Sequence, residues 1–168
     1  AVTGTNGKSS VTWFIGQLLE HAGREAFIGG NIGTPLSILA DADTNPDLAV
    51  VEVSSYQLEL PGDFSPRAAA ILNLAPDHLR RHGTMDNYAK TKMDLFSNMS
   101  ANDFAAIPPM SAANPDGLIG YANTAAHQLS LNGKPGISRS GNTLTLSGTP
   151  DDGEVDLSTL QLLGEHNR

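Results

Sequence analysis

Four residues near the start of the chain have the types and spacing to hold an anion: Gly4, Gly7, Lys8 and Ser9 in "AVTGTNGKSSV". Glycines let a backbone turn sharply and bring its N–H groups close to oxygen atoms. A lysine beside them reaches the outer phosphates of a nucleotide, and the hydroxyl that follows sits where Mg²⁺ is held. The spacing G-x-x-G-K-S is two residues shorter than the common G-x-x-x-x-G-K-[ST] loop. Alone, it fits an ordinary glycine turn capping a helix equally well. Its context favours phosphate, because Lys8, Ser9 and Ser10 open a segment of helical periodicity. A helix N-terminus offers unpaired N–H groups and the positive end of a dipole.

Three further residues stand where a core should not hold them. Glu52 ends the apolar run "LAVVE", and a carboxylate at the exit of a buried strand either reaches water or is paired, as by a metal. His78, after Asp77, follows the next apolar run and emerges at the same sheet edge, as a hydrogen-bonded structural residue or as a ligand. Lys92 lies near the middle of the apolar stripe made by Met85, Tyr88, Ala89, Leu95, Phe96 and Met99 at about 100° per residue. It either snorkels to an edge or has its charge used or removed. Its neighbour Lys90 falls on the polar face with Asp86 and Asp94. His82 reads as a surface residue or as support for the site.

The elements that must position these residues are legible as a pattern. Val11, Phe14, Ile15, Leu18, Leu19 and Ala22 predict a helix of about four turns with one buried face, stopped by Gly23. "AFI" predicts a strand and "GGNIG" a loop, with Thr34 and Pro35 opening a helix over "PLSILADA". "LAVVEV" and "AAAILNL" have the near-continuous apolar texture of parallel strands covered on both faces. A short helix and a turn lie between them. A helix over about Met85 to Met99 and a strand "DFAAIP" complete this part. Beyond Pro108 come short strands, "HQLSL", "GISRS", "TLTLSG" and "EVDLSTLQL", with Gly141-Asn142 as a hairpin turn. The fold expected is α/β: a P-loop-type, mostly parallel sheet flanked by helices, with a smaller antiparallel β region toward the C-terminus. Open sheets of this kind bind ligands at the carboxyl ends of their strands, where Glu52 and His78 emerge.

Composition narrows the classes. The chain has 168 residues, a net charge of −8, no cysteine and no long apolar run. Those values describe one core and exclude disulfides, thiolate metal sites and a duplex-wide nucleic-acid surface. With no transmembrane run or signal peptide visible, the expectation is a cytoplasmic protein with neither membrane nor nucleic acid as partner.

Taken in order, "TGTNGKSS", "VVEVSS", "DHLRRHG", "YAKTK" and the closing "LLGEHNR" resemble the central domain of the Mur ligases, ATP-dependent enzymes that join amino acids to the peptidoglycan precursor. The segments "GGNIGTPL" and "EVSSYQLE" resemble most the members that add D-glutamate to UDP-N-acetylmuramoyl-L-alanine. The resemblance covers essentially the whole chain. It implies an ADP-forming ligase acting through an acyl phosphate. Gly4, Thr5, Asn6, Gly7, Lys8, Ser9 and Ser10 would hold the phosphates of ATP, and Asn167 the base. Ser9 and Glu52 would hold one Mg²⁺, and His78 and Lys92 a second. Asn31 and His78 would face the muramoyl substrate, with Lys8, His78 and Lys92 serving catalysis and Lys92 carbamylated. It also implies a monomer with three domains in series, of which residues 1–168 are the ATP-binding one. The UDP-binding N-terminal and amino-acid-binding C-terminal domains would lie outside them, leaving this fragment inactive in ligation alone. Arg80 stands where the family often has Asp. Other readings are another Mur-type ligase, a different P-loop enzyme such as a small-molecule kinase, a non-catalytic nucleotide-binding module, and a scaffold with a degenerate loop.

Overall fold

The computed structural model describes residues 1–41, 45–107, 124–131, 136–148, 152–156 and 158. These fall into two units, Ala1–His127 and Gln128–Arg168. In the first, β1 (Val2–Thr3), β2 (Ala26–Gly30), β3 (Leu48–Glu52), β4 (Ala68–Ile71) and β5 (Phe104–Ala106) pair in parallel in the order β2-β3-β1-β4-β5. The helices are α1 (Lys8–His21), α2 (Leu36–Asp41), α3 (Ser55–Leu58), α4 (Leu79–His82) and α5 (Met85–Met93). A 3₁₀ turn at Asp94–Phe96 extends α5, so the expected single helix tightens before Met99.

Register fixes the site. Val2 lies level with Glu52 on one side and Ala70 on the other, and Gly30 lies level with Glu52. The carboxyl ends of four neighbouring strands therefore form one edge. From it emerge the glycine loop after β1, Asn31 after β2, Glu52 itself and Asn73 after β4. The central strand β1 has neighbours reached by connections in both directions, which is where such sheets open a crevice.

Helix α1 spans its predicted length but buries a different face. Thr12 and Gly16 face the sheet with Val11, Ile15 and Leu19 beside them, while Phe14 and Leu18 are exposed with Trp13. The cause is Gly16: a Cβ there would meet the Ile28 side chain at 2.1 Å, so only glycine lets the helix lie this close to β2. At its end the Gly23 N–H bonds the Glu20 carbonyl and the Arg24 N–H the Leu19 carbonyl, each at 2.9 Å. Gly23 is left-handed, and the pair of bonds is the Schellman stop that its position predicts.

Strand β2 runs through Gly29 and Gly30, where a loop is expected, because both pair with β3 and tertiary pairing outweighs glycine's weak strand preference. Helix α2 starts at Leu36. The Thr34 carbonyl instead accepts the Gly30 N–H at 2.8 Å. The core beneath the site joins Val51, Leu58, Ile71, Tyr88, Leu95, Phe96 and Ala105 across β3, β4, β5, α3, α5 and the 3₁₀ turn.

In the second unit, β7 (Gly136–Ser140) and β8 (Thr143–Ser147) form the hairpin expected at Gly141-Asn142, and β9 (Gly153–Asp156) adds antiparallel to β8. Strand β6 (His127–Leu131) meets β7 in parallel over two positions, a departure from an all-antiparallel region. Among the described residues no helix is long and apolar enough to cross a membrane.

Gly30 combines φ of +108° with a Cβ position that would meet the Glu52 carbonyl oxygen at 2.4 Å. Gly30→Ala is expected to destabilise the chain by roughly 1–3 kcal/mol, read as a lower urea midpoint. An unchanged midpoint would mean that the β2–β3 approach relaxes at no cost.

Candidate nucleotide site

At the start of α1, Gly7 is the N-cap, left-handed at φ 81°, and no side chain caps the helix. The amides of Lys8, Ser9 and Ser10 are first-turn groups that have no intrahelical acceptor. Gly4, at φ 151°, brings the loop against β4; a Cβ there would lie 3.1 Å from that of Leu72. The result is a turn with donors facing outward at a helix's positive end, the arrangement that receives phosphate. The Lys8 ammonium folds back to donate to the Thr5 carbonyl at 3.1 Å. Thr5 anchors the loop below, its hydroxyl accepting the Ala75 N–H at 3.0 Å and meeting the Tyr88 hydroxyl at 3.3 Å.

Glu52 is 1% exposed. Its two oxygens accept from the Ser9 hydroxyl at 2.7 Å and the Asn31 side-chain amide at 2.9 Å. Among the described residues no cationic side chain pairs with it. Neutral donors leave a buried carboxylate without a counter-charge, which a bound cation would supply. The oxygens of Glu52 and Ser9 are the hard ligands Mg²⁺ takes, and Mg²⁺ needs few protein ligands when phosphates and waters supply the rest. The residues therefore fit that ion.

Lys92 is buried, which decides between the two expectations for it: it does not snorkel. Its ammonium donates to the Thr3 hydroxyl at 3.3 Å and the Gly4 carbonyl at 3.1 Å, and lies 4.7 Å from the centre of the Tyr88 ring. Burial, with repulsion from Lys8, pushes it down to about 8, while Asp77 opposes the change. Lys92 thus forms the floor of the glycine loop and is readily neutralised.

His78 stands apart from these groups. It is non-glycine yet left-handed at φ 50°, held there by its N–H to the Asp77 carboxylate at 2.8 Å. Its half-exposed ring packs edge-on against Tyr56, at 5.2 Å between centres. With Asp77, Tyr56, Arg80 and Arg81 it lines an open pocket. Among the described residues, no three His, Asp or Glu side chains come together as a metal-binding group. Asn167 lies outside the described residues.

His82 is buried rather than on the surface. Its Nε2 pairs with the Ser55 hydroxyl at 3.0 Å and its ring packs against Tyr88. Burial lowers its pKa, with Glu59 opposing. Sequence reasoning missed Tyr88 as a site residue, since an aromatic in an apolar stripe reads as core. It also missed Asn73, whose one signal was a polar side chain ending an apolar run.

The sequence pattern of the Mur ligase middle domain matches residues 2–168. The chain belongs to the Mur ligase family. Over 107 residues it is 51% identical to the UDP-N-acetylmuramoylalanine–D-glutamate ligase of Desulfotalea psychrophila and 49% to that of Pelotomaculum thermopropionicum, covering 64% of this chain and 24% of each relative. This Mur ligase chain thus spans about a quarter of the length of those relatives. Among solved structures, a UDP-N-acetylmuramoyl-L-alanyl-D-glutamate–2,6-diaminopimelate ligase superposes with TM-score 0.70 at 26% identity, covering 99% of this chain and 39% of that one. The MurF ligase of Thermotoga maritima in complex with ADP gives 0.62 at 23% identity, covering 92% and 39%. The α/β fold read from the sequence is the fold of this family.

Because the folded Lys92 binds fewer protons than the unfolded one between about 8 and its ordinary 10.5, stability rises with pH across that window. Lys92→Met is expected to remove this rise, measured as the difference between the two chains' urea midpoints from pH 7 to 10. Parallel pH profiles would show that Lys92 titrates normally.

Proposed function

We propose that residues 1–168 are the ATP-binding catalytic domain of a ligase that adds D-glutamate to UDP-N-acetylmuramoyl-L-alanine, forming ADP and phosphate. The observation that carries the nucleotide reading is the buried Glu52–Ser9 pair beside the uncapped start of α1. The relatives named above support the choice of amino acid and muramoyl substrate. Ligation itself would require the UDP-binding and amino-acid-binding domains outside residues 1–168, so this chain alone is expected to form no amide.

In this reading, Gly4, Thr5 and Asn6 shape the loop, and the amides from Gly7 to Ser10 hold the β- and γ-phosphates. Lys8 leaves the Thr5 carbonyl for the outer phosphate, and Asn167 meets the base. A substrate carboxylate oxygen attacks the γ-phosphorus and ADP departs. The amine of D-glutamate then attacks the acyl carbon of the resulting acyl phosphate, and inorganic phosphate leaves. Mg²⁺, bound by Ser9 and Glu52, would neutralise phosphate charge. Asn31 and His78 orient the muramoyl substrate. Bringing a carboxylate to a triphosphate is opposed by charge, so positioning and neutralisation supply most of the catalysis.

Lys92 as an ammonium would repel a second Mg²⁺. Its lowered pKa provides the free amine that can add to CO₂, forming an N–C bond and releasing a proton. The carbamate so made is an anion able to hold that ion, and His78 would join it there only by leaving its place against Tyr56.

Two measurements test this. Calorimetric titration of Mg·ATP should show binding that Lys8→Ala abolishes; a folded chain with no affinity, or one indifferent to Lys8, would remove the nucleotide reading. Labelled ¹³C-bicarbonate should give a carbamate resonance that is missing from Lys92→Arg, and a spectrum without it would leave Lys92 an amine.

A further inference from the structure

Asn73 follows β4 on the turn toward His78 and makes three contacts with the glycine loop. Its side-chain oxygen accepts the Asn6 N–H at 2.9 Å, and its side-chain nitrogen donates to the Asn6 carbonyl at 2.9 Å. Its own carbonyl accepts the Thr5 N–H at 3.1 Å. We propose that Asn73 is the positioning residue of the loop, an amide that pairs with the backbone of Asn6 as a neighbouring strand would and holds the loop in its anion-receiving shape before an anion arrives.

The chemistry requires this side chain. Only a carboxamide carries a donor and an acceptor side by side, as a peptide group does. Asp could accept from the Asn6 N–H but would set a carboxylate against the Asn6 carbonyl, and Leu could do neither. The loop has reason to need the clamp: Gly4 and Gly7 sit in positive-φ conformations that few residues share, and glycines are the residues with the most freedom to lose. An unclamped loop would have to be ordered by the ligand, at a cost in affinity.

Positioning is separable from folding here, because both side-chain bonds are exposed to water. Water can replace them when they are lost, so global stability should move little. Loop order should move a great deal. Asn73 also lies five residues before His78 on one short segment, and the Ala75 N–H bonds the Thr5 hydroxyl. The clamp therefore also fixes where the His78 pocket begins relative to the loop.

The consequence for nucleotide affinity rests on the phosphate reading above, whereas the clamp itself does not, so two readouts are needed. Amide hydrogen exchange, followed by NMR on the ligand-free chain, should show the Asn6 amide at least about tenfold faster in Asn73→Leu, with core amides unchanged. Asn73→Asp should keep that amide slow, since the acceptor remains. Mg·ATP titration should show affinity lowered about tenfold by Asn73→Leu and lowered also by Asn73→Asp, whose charge opposes phosphate. An Asn6 amide that exchanges equally fast in the parent and Asn73→Leu would overturn the clamp. So would unchanged Mg·ATP affinity in both variants of a chain that binds it. Faster Asn6 exchange in a chain that binds no nucleotide would uphold the clamp and reject the phosphate reading. Should Asn73→Leu fail to fold, Asn73→Ala serves in its place: an Asn6 amide as slow in that variant as in the parent would overturn the proposal.

Discussion

A carboxylate kept from water by two neutral donors sets the terms for the whole carboxyl edge of this sheet. Glu52 is held by the Ser9 hydroxyl on one oxygen and the Asn31 amide on the other. Each donor comes from the segment that follows a different strand, so the interaction ties the ends of β1, β2 and β3 together. It works only because the strands are in register at that level, with Val2 and Gly30 both opposite Glu52. A shift of one residue would turn Glu52 to the other face and part it from both donors. Gly30 has no side chain because the Glu52 carbonyl occupies the space a Cβ would need.

Charge is distributed across the edge in a way that suits an anion and a cation side by side. On one side lies the uncompensated Glu52; on the other lie Lys8 above the glycine loop and Lys92 beneath it. Two ammonium groups near one loop repel each other, and that repulsion adds to burial in loosening the proton on Lys92. Phosphate between them would relieve the repulsion. The edge is therefore assembled with its electrostatic conflicts in place, of the kind that an anion beside Lys8 and Lys92 and a cation beside Glu52 would resolve.

Much of this was legible in the sequence. The parallel strands were readable as apolar runs, and the loop, Glu52 and Lys92 stood out because each put a charge or a glycine where a core pattern argued against it. Lys92 was visible by periodicity alone, since 100° spacing placed it on the buried stripe, where the structure finds it. What periodicity misjudged was the buried face of α1. Phe14 and Leu18 look like core residues, yet the contact with β2 is made through Gly16, and close approach of a helix is encoded by an absent side chain rather than by an apolar one. His82 was ambiguous for a related reason: whether a histidine is buried depends on Ser55 and Tyr88, residues distant in sequence that only the fold brings to it. The β6–β7 pairing likewise depends on contacts that no local pattern carries.

Asn73 and Tyr88 show how support for a site hides in plain composition. Neither carries a charge at neutral pH, and each interrupts an apolar segment by a single polar atom or group. Tyr88 reads as core from its place in an apolar stripe, but its hydroxyl meets Thr5 and its ring meets the Lys92 ammonium, so one side chain touches both the loop and its floor. Removing its ring would open a cavity in the core and expose the ammonium to a void at the same time. The groups proposed to receive a ligand are thus spread thinly over the edge, and the precision with which they are held is supplied by residues whose chemistry is ordinary and whose placement is not.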